Sequence, residues 1–368
     1  MTAKAIAEKN TRVNEIDLLR FVAAIAVVFF HYTFRGYAAD AMSVMPYPLF
    51  PSFAKYGYLG VDLFFMISGF VILMTAASGS LRDFVVSRFV RLYPAFWTCC
   101  TITFVLTLAI GAPRYSASLS QYLINMTMLS NYVGTPPLDG SYWSLFVEMR
   151  FYGLVAVVLV IGRIHQAQLF LIIWLIASIA LELLPTGNTL SSLLIVNYSA
   201  YFIAGATCYL VWSQGISSTR AGLLIVSWGL AIFHSFDKMT VQEKLFNTDM
   251  NIYIVATIIT SFFIVMLLIS LKHTGFVGRN RWQLAGVLTY PLYLLHQNIG
   301  FMVFNVAYPT INPHILLWGT IIMMLGAAYA VHAIIEKRYS MPIKEGINRL
   351  FNALQRFSNV WLNRDVLH

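Results

Sequence analysis

The sequence predicts an all-α integral membrane protein, a bundle of about ten transmembrane helices with both termini in the cytoplasm. Three observations predict it. Hydrophobic residues make up 59% of the 368 residues and charged residues only 11%, where a soluble domain carries roughly 25% charge. Mean hydropathy is +0.71. Apolar stretches of about 17–25 residues, the length that crosses a bilayer, recur along the chain.

Ten such stretches lie near 17–36, 58–78, 92–112, 143–162, 168–184, 193–212, 220–236, 251–271, 284–306 and 313–335. The seventh is short and interrupted by His234. With the N-terminus inside, 17 of the 24 Lys and Arg fall on inner segments and 5 on outer ones, Arg20 and Arg150 lying within spans. Cytoplasmic loops carry that excess, so the bias sets the orientation. It also accounts for the net charge of +9. The basic residues are scattered between spans, which argues against a nucleic-acid-binding domain.

The chain divides into a polar cytoplasmic segment (1–16), a membrane domain (17–336) and a basic tail (337–368). The first segment lacks the pattern of a cleaved leader. In the tail, Ile343, Ile347, Leu350, Phe351, Leu354 and Trp361 recur at helical spacing with basic residues between them. Such a pattern suits a helix lying on the anionic inner leaflet, against the blander reading of a frayed terminus. Cys99, Cys100 and Cys208 lie in apolar runs and read as packing residues, not as a disulfide framework or a metal site.

Polar groups inside the spans carry the functional reading, because they are costly there. "LLRFVAAIAVVFFHYTFR", residues 18–35, holds Arg20 near its inner end and His31 in its outer half. Eleven residues make roughly 16 Å and nearly three turns, so the two side chains share a face. Span two, "YGYLGVDLFFMISGF", brings Asp62 near the outer surface and Ser68 to mid-depth; its Gly-x-x-Gly suits close helix packing and not a phosphate loop. Span four, "SYWSLFVEMRFYG", carries Glu148 about a turn below the outer surface and Arg150 slightly deeper. Span nine, "YPLYLLHQN", has His296 in its middle region. By depth, His31, Glu148 and Asp62 are expected to converge in the outer half. Arg20, Arg88, Arg91, Arg279 and Arg281 are expected at the inner mouth.

A histidine beside a carboxylate suits general-base work. Guanidinium forks suit an anionic, phosphate-bearing ligand. Blander readings stand beside these. A lone intramembrane histidine is often only hydrogen-bonded packing, and the positive-inside bias already accounts for Arg88 and Arg91.

Five stretches together resemble the acyltransferase-3 family of integral membrane acyltransferases, many of which O-acetylate bacterial polysaccharides. "EIDLLRFVAAIAVVFFH" is similar to the family's opening Arg-x10-His motif, here Arg20 and His31. "GYLGVDLFFMISGFVI" is similar to its second-span signature, and "SRFVRLYPAFW" to its Arg-x-x-Arg element, here Arg88 and Arg91. "YWSLFVEMRFY" matches Trp-Ser-Leu-x-x-Glu, here Trp143, Ser144, Leu145 and Glu148. "YPLYLLH" resembles the late element ending at His296. The five occur in the family's order over most of residues 14–340.

The resemblance implies an acyl-CoA donor, commonly acetyl-CoA, as co-substrate with no tightly bound cofactor. It implies His31 as the essential base with Arg20 in support, and Arg88 and Arg91 as coenzyme contacts on the cytoplasmic side. After Glu148 this chain reads Met-Arg, where relatives often carry a second acidic or amide residue. Some relatives continue into an extracytoplasmic hydrolase-like domain. This sequence stops soon after span ten, and the expectation is transfer by the membrane domain alone or handover to a partner.

The reading is acyl transfer from acyl-CoA to a hydroxyl of a sugar or cell-surface glycan, the acceptor a glycan or lipid-linked sugar, in a bacterial inner membrane. His31 deprotonates the hydroxyl, and Glu148 orients His31 or the acceptor. Ser68, Tyr142 and Arg150 are the candidate oxyanion donors. Tyr115, Tyr122, Tyr132, Tyr142 and Trp143 are candidates for stacking on sugar rings, with interfacial anchoring as the equal alternative. The competing class is a proton-coupled transporter or exporter, which buried His, Glu and Arg would also suit. No inverted repeat or paired helix interruption supports it.

Overall fold

The computed structural model describes residues 12–38, 41–47, 49–77, 79–184, 189–279 and 281–364, with side chains as far as Arg356. Residues 1–11 of the expected cytoplasmic segment, and the side chain of Trp361 in the tail, lie outside the described residues. The long helices are α1 (Asn14–Ala38), α2 (Pro51–Ala76), α3 (Leu81–Ile110), α4 (Gly140–Val160), α5 (Ile164–Glu182), α6 (Thr189–Gln214), α7 (Ser218–Phe246) and α8 (Ile252–Ser270). They continue with α9 (Gln283–Ala307), α10 (Pro313–Val331) and α11 (Lys337–Arg364). A π-helical turn at His332–Glu336 joins α10 to α11 without a break. No strand occurs among the described residues.

Nine helical stretches among the described residues, α1 to α8 and the continuous α10–α11, are long and apolar enough to cross a membrane. The expected ninth span, α9, is 25 residues long. His296, Gln297, Asn298 and its tyrosines lower its apolarity, and most of its side chains are buried against neighbouring helices. A helix sheathed by other helices can carry polar groups that lipid would reject. On the peripheral helices, large apolar side chains such as Leu169, Ile173, Ile176 and Ile225 face outward. So much exposed hydrocarbon suits a bilayer and would be a liability in water. The chain is a helical integral membrane protein.

Local sequence explains where helices start and how closely they meet. Ser80 and Asp83 form a reciprocal capping box at the start of α3, and Ser217, Asn251 and Asn312 cap α7, α8 and α10. A Cβ on Gly205 of α6 would lie 1.7 Å from the Met66 carbonyl oxygen of α2, and one on Gly69 would lie 2.2 Å from the Phe202 carbonyl oxygen. The two helices therefore touch backbone to backbone, as small residues allow in membranes. Gly57 and Gly60 press on the Ala26 and Ala23 carbonyls of α1 in the same way, so the Gly-x-x-Gly stretch does serve close packing.

Loop contacts sort the chain into two sides. On one side, Asn14 donates to the Gly278 carbonyl (2.9 Å) and Arg82 to Asn348 and Asn352 of α11. On the other, Tyr115 reaches the Met42 carbonyl, Val44 meets Asn305, and Tyr47 meets His314. The two ends of the described chain emerge on the same side, as an even number of crossings requires. α7 runs to Phe246, ten residues past its expected end, and carries Lys238 inside the bundle instead of onto an outer loop.

Candidate active site

The site is built on two levels along α1 and α9. At the lower level a cavity of about 270 Å3 is walled by Arg20 of α1, Arg88 and Arg91 of α3, Ser68 of α2, Glu148 and Tyr152 of α4, and Thr289 and Tyr293 of α9. The arginines occupy the first turns of α3, just past the capping box, and the inner end of α1. Arg88 donates to Ser87 Oγ at 3.1 Å and to Thr75 Oγ1 at 3.4 Å, yet its Nε is buried without a hydrogen-bond partner among the described residues. A buried unsatisfied donor is uncommon and calls for an acceptor. Ser68 Oγ donates to Glu148 at 2.6 Å. The cavity thus holds three guanidinium groups against one carboxylate, and its chemistry is that of an anion site. Arg279 and Arg281, expected at the same mouth, do not line it.

About three turns further along α1 is the upper level, where two histidines face each other. His31 and His296 are both buried, with rings 4.9 Å apart. Their nitrogens can be assigned from the network. A carbonyl only accepts, so His296 Nδ1 donates to the Tyr293 carbonyl (2.8 Å) and His31 Nδ1 to the Val27 carbonyl (2.8 Å). His296 Nε2 is then an acceptor, 3.2 Å from His31 Nδ1. The remaining lone pair of the pair is on His31 Nε2, which accepts from Arg35 Nη1 at 3.4 Å. His31 also opens a π-helical turn, His31–Arg35. Such turns are frequent at functional sites because the extra residue re-aims side chains.

Tyr293 connects the two levels. Its ring lines the cavity and its hydroxyl meets Ser144 Oγ at 2.8 Å, while its carbonyl holds His296. The same carbonyl accepts from Ser141 Oγ (3.2 Å). Ser141 is held by Asp139, which accepts from Ser141 N (2.8 Å), Ser141 Oγ (2.7 Å) and Asn298 N (2.9 Å). The 111–139 loop is thereby bolted to α9 two residues beyond His296. Burial pushes the Asp139 carboxyl above the usual carboxylate range, against the pull of the Ser141 and Asn298 donors. A Cβ on Gly140 would meet Gln297 Nε2 at 2.2 Å, so any side chain there would displace the Gln297 amide.

Several expected partnerships differ. Arg20 and His31 do share a face, since Arg20 shares its cavity with Gly286 and Thr289 of α9 while His31 meets His296 of the same helix. Glu148 belongs to the arginine cavity and not to His31. Asp62 is 1% exposed and bonded to Lys238 Nζ at 2.9 and 3.0 Å, so it serves an ion pair away from the histidines. The cause is the extension of α7 that buries Lys238.

Among the candidate oxyanion donors, only Ser68 lines the cavity. Tyr142 is wholly buried against Phe96. Arg150 points to Tyr132 and the Ser192 carbonyl. Trp143 packs on Phe65 and Tyr198. Arg35, Asp139, Ser141, Tyr152 and Tyr293 join the site without a role expected from the sequence. For Arg35 the spacing i, i+4 from His31 was the available signal; for Asp139 there was none. The cysteines are buried and unpaired.

Fold and site define a helical membrane protein with a buried imidazole pair above an arginine-lined cavity. A family model described as an acyltransferase domain, acyltransferase-3, matches residues 13–333. The chain belongs to the acyltransferase-3 family. It is 27% identical over 176 residues to an O-acetyl transferase of Shigella phage Sf6, covering 44% of this chain and 50% of that protein. It is 29% identical over 160 residues to the peptidoglycan O-acetyltransferase OatA of Listeria monocytogenes, covering 38% and 23%. It is also 26% identical over 174 residues to the regulator of hypoxia-inducible factor 1 of Caenorhabditis elegans, covering 40% and 34%. The chain thus spans half or less of the length of these relatives. No solved structure matches it.

Proposed function

We propose that the protein is a membrane O-acyltransferase that moves an acyl group, acetyl first among candidates, from acyl-CoA to a hydroxyl of a sugar or cell-surface glycan. The observation that carries this reading is the two-level geometry: three arginines with an unpartnered Arg88 Nε at one level, and an imidazole with its lone pair on Nε2 at the next. Membership of the acyltransferase-3 family and two O-acetyltransferase relatives, one of a phage and one of a bacterium, support the same chemistry. In this reading the arginine side faces the cytoplasm of a bacterial inner membrane, where acyl-CoA is available, and both termini lie there.

Arg20, Arg88 and Arg91 hold the CoA phosphates, with Glu148 keeping Arg20 and Ser68 in place. The pantetheine arm rises along α1 and α9, past Tyr293 and Ser144. Arg20 and His31 are roughly 16 Å apart along the helix, which is the span the arm has to cover. His31 Nε2 takes the acceptor hydroxyl proton while the oxygen attacks the thioester carbonyl. Collapse of the tetrahedral intermediate breaks the C–S bond, and the imidazolium returns the proton to the departing thiolate. The products are an ester and free CoA. Arg35, the cation beside His31, is positioned to face the developing oxyanion. The Val27 carbonyl holds His31 in the reactive tautomer, and His296 Nε2 is a second, longer acceptor for the same proton.

The test is purified protein in lipid nanodiscs with radiolabelled acetyl-CoA and cell-envelope glycan. Alkali-labile label should enter the glycan with wild type and not with His31→Ala. If CoA neither binds nor turns over, or if His31→Ala transfers label at the wild-type rate, the reading fails.

A further inference from the structure

A second cavity, of about 380 Å3, lies beside the first, between the inner end of α3 and the start of α11. Ser87 and Arg91 line both cavities. Small-molecule pockets run roughly 300–1,000 Å3. Each cavity is at or near the bottom of that range alone, and the two together fall within it.

The second cavity is mixed in charge. Its cations are Arg91, Lys337 and Lys344, and its carboxylates are Asp83 and Glu336. Both carboxylates are engaged. Asp83 accepts from Ser80 Oγ at 2.9 Å, and Glu336 is 2.6 Å from His332 Nδ1 and 3.5 Å from Arg91. Neither lysine has a carboxylate within ion-pair distance among the described residues. Glu336 Oε1 is the oxygen that faces Arg91 Nη1 at 3.5 Å; it is buried and makes no hydrogen bond among the described residues. The pocket therefore offers two ammonium groups at its rim and one buried acceptor within. It suits a ligand that brings a phosphate and an N–H donor together. α11 is held in place by Arg82, which donates to Asn348 Oδ1 (3.0 Å), the Asn348 carbonyl (2.9 Å) and Asn352 Oδ1 (2.8 Å), and which lies 5.5 Å from the Phe351 ring centre.

Resting on the acyl-CoA reading, we infer that this second cavity is the nucleotide subsite of the donor, completed by α11. Lys337 and Lys344 take the 3′-phosphate of the ribose. The adenine amino group donates to Glu336 Oε1. Arg91, common to both cavities, sits at the diphosphate that joins the nucleotide to the pantetheine arm. Phosphatidylethanolamine would bring similar groups to the same pocket. Continuity with the first cavity through Ser87 and Arg91 favours the coenzyme, because one molecule then fills both.

The experiment compares kcat/KM for acetyl-CoA and acetyl-3′-dephospho-CoA in nanodiscs of phosphatidylcholine alone and of phosphatidylcholine with phosphatidylethanolamine. Wild type should prefer acetyl-CoA by at least about tenfold, the scale of one charge-assisted contact. The Lys337→Ala/Lys344→Ala double variant should bring the ratio close to one, and Lys337→Arg/Lys344→Arg should keep it. The ratio is internal to each sample, so partial misfolding of a variant cancels. A wild-type ratio near one, or a ratio unchanged in the double alanine variant, overturns the subsite. A ratio that disappears when phosphatidylethanolamine is added assigns the pocket to lipid and overturns it as well. If wild type neither binds nor consumes either thioester, the acyl-CoA reading itself falls and the subsite falls with it.

Discussion

Substituting the two facing histidines one at a time separates the base from its support. His31 Nδ1 is shared between two acceptors, the Val27 carbonyl at 2.8 Å and His296 Nε2 at 3.2 Å. His296→Ala removes the longer arm only. The Val27 carbonyl still holds the proton on Nδ1, so the lone pair stays on Nε2. A hydrogen bond of this kind contributes a net ~0.5–1.5 kcal/mol, which corresponds to a loss of roughly two- to thirteenfold in rate. His31→Ala removes the base itself. General-base catalysis contributes about 10²–10⁴-fold, or roughly 2.7–5.4 kcal/mol of barrier. The assay is acetyl transfer from labelled acetyl-CoA in nanodiscs, with kcat/KM compared among wild type and both variants at matched monodispersity and thermal midpoint. The expected order is a small loss for His296→Ala and a loss at least about eight times larger for His31→Ala. Equal losses, or a larger loss at His296, would refute the assignment of the base to His31 Nε2 and the tautomers on which it rests.

Two further substitutions test the surroundings of the pair. Asp139→Ala leaves Ser141 N and Asn298 N without their acceptor, while Ser141 Oγ keeps the Tyr293 carbonyl; each buried donor so orphaned costs about 1–3 kcal/mol, so the thermal midpoint should fall, and transfer to acceptor should suffer while acetyl-CoA binding at the arginine cavity persists. An unchanged midpoint would mean that the 111–139 loop is not held to α9 by Asp139. Asp62→Leu strands Lys238 and should destabilise by roughly 3–5 kcal/mol, whereas Asp62→Leu/Lys238→Met, which removes both charges, should recover folding and transfer. A double variant that folds and stays inactive would return Asp62 to the catalytic machinery.

The membrane class and the positions of the spans were legible because hydropathy and span length are properties of short windows. Even α9 was recognisable, although its polar side chains bring it below the apolarity of the other helices. Small-residue packing at Gly57 and Gly60 could be read from the Gly-x-x-Gly stretch. The pairing of side chains was less accessible. Glu148 was expected at His31 because both were assigned to the outer half, and it meets Ser68 instead. Lys238 falls two residues beyond the expected end of span seven, and it is inside α7 against Asp62. His296 and Tyr293 belong to the "YPLYLLH" stretch, but the contact of His296 with His31, and the hold of Tyr293 on His296, do not follow from spacing.

By itself the sequence determined that this chain lives in a membrane, that Arg20 and His31 lie on one face at two levels of one helix, and which family's motifs it carries; it set Glu148 too near the outer surface. Depth follows from a rise of 1.5 Å per residue along a helix whose ends are marked by hydropathy. Only the tertiary structure decided which groups face one another: the two histidines, Glu148 with the arginines, Asp62 with Lys238, and α11 against the inner end of α3. Those pairings depend on the rotation of each helix about its axis. That rotation is set by which backbones can approach, as Gly69 and Gly205 let α2 and α6 do, and by contacts between residues far apart in the chain.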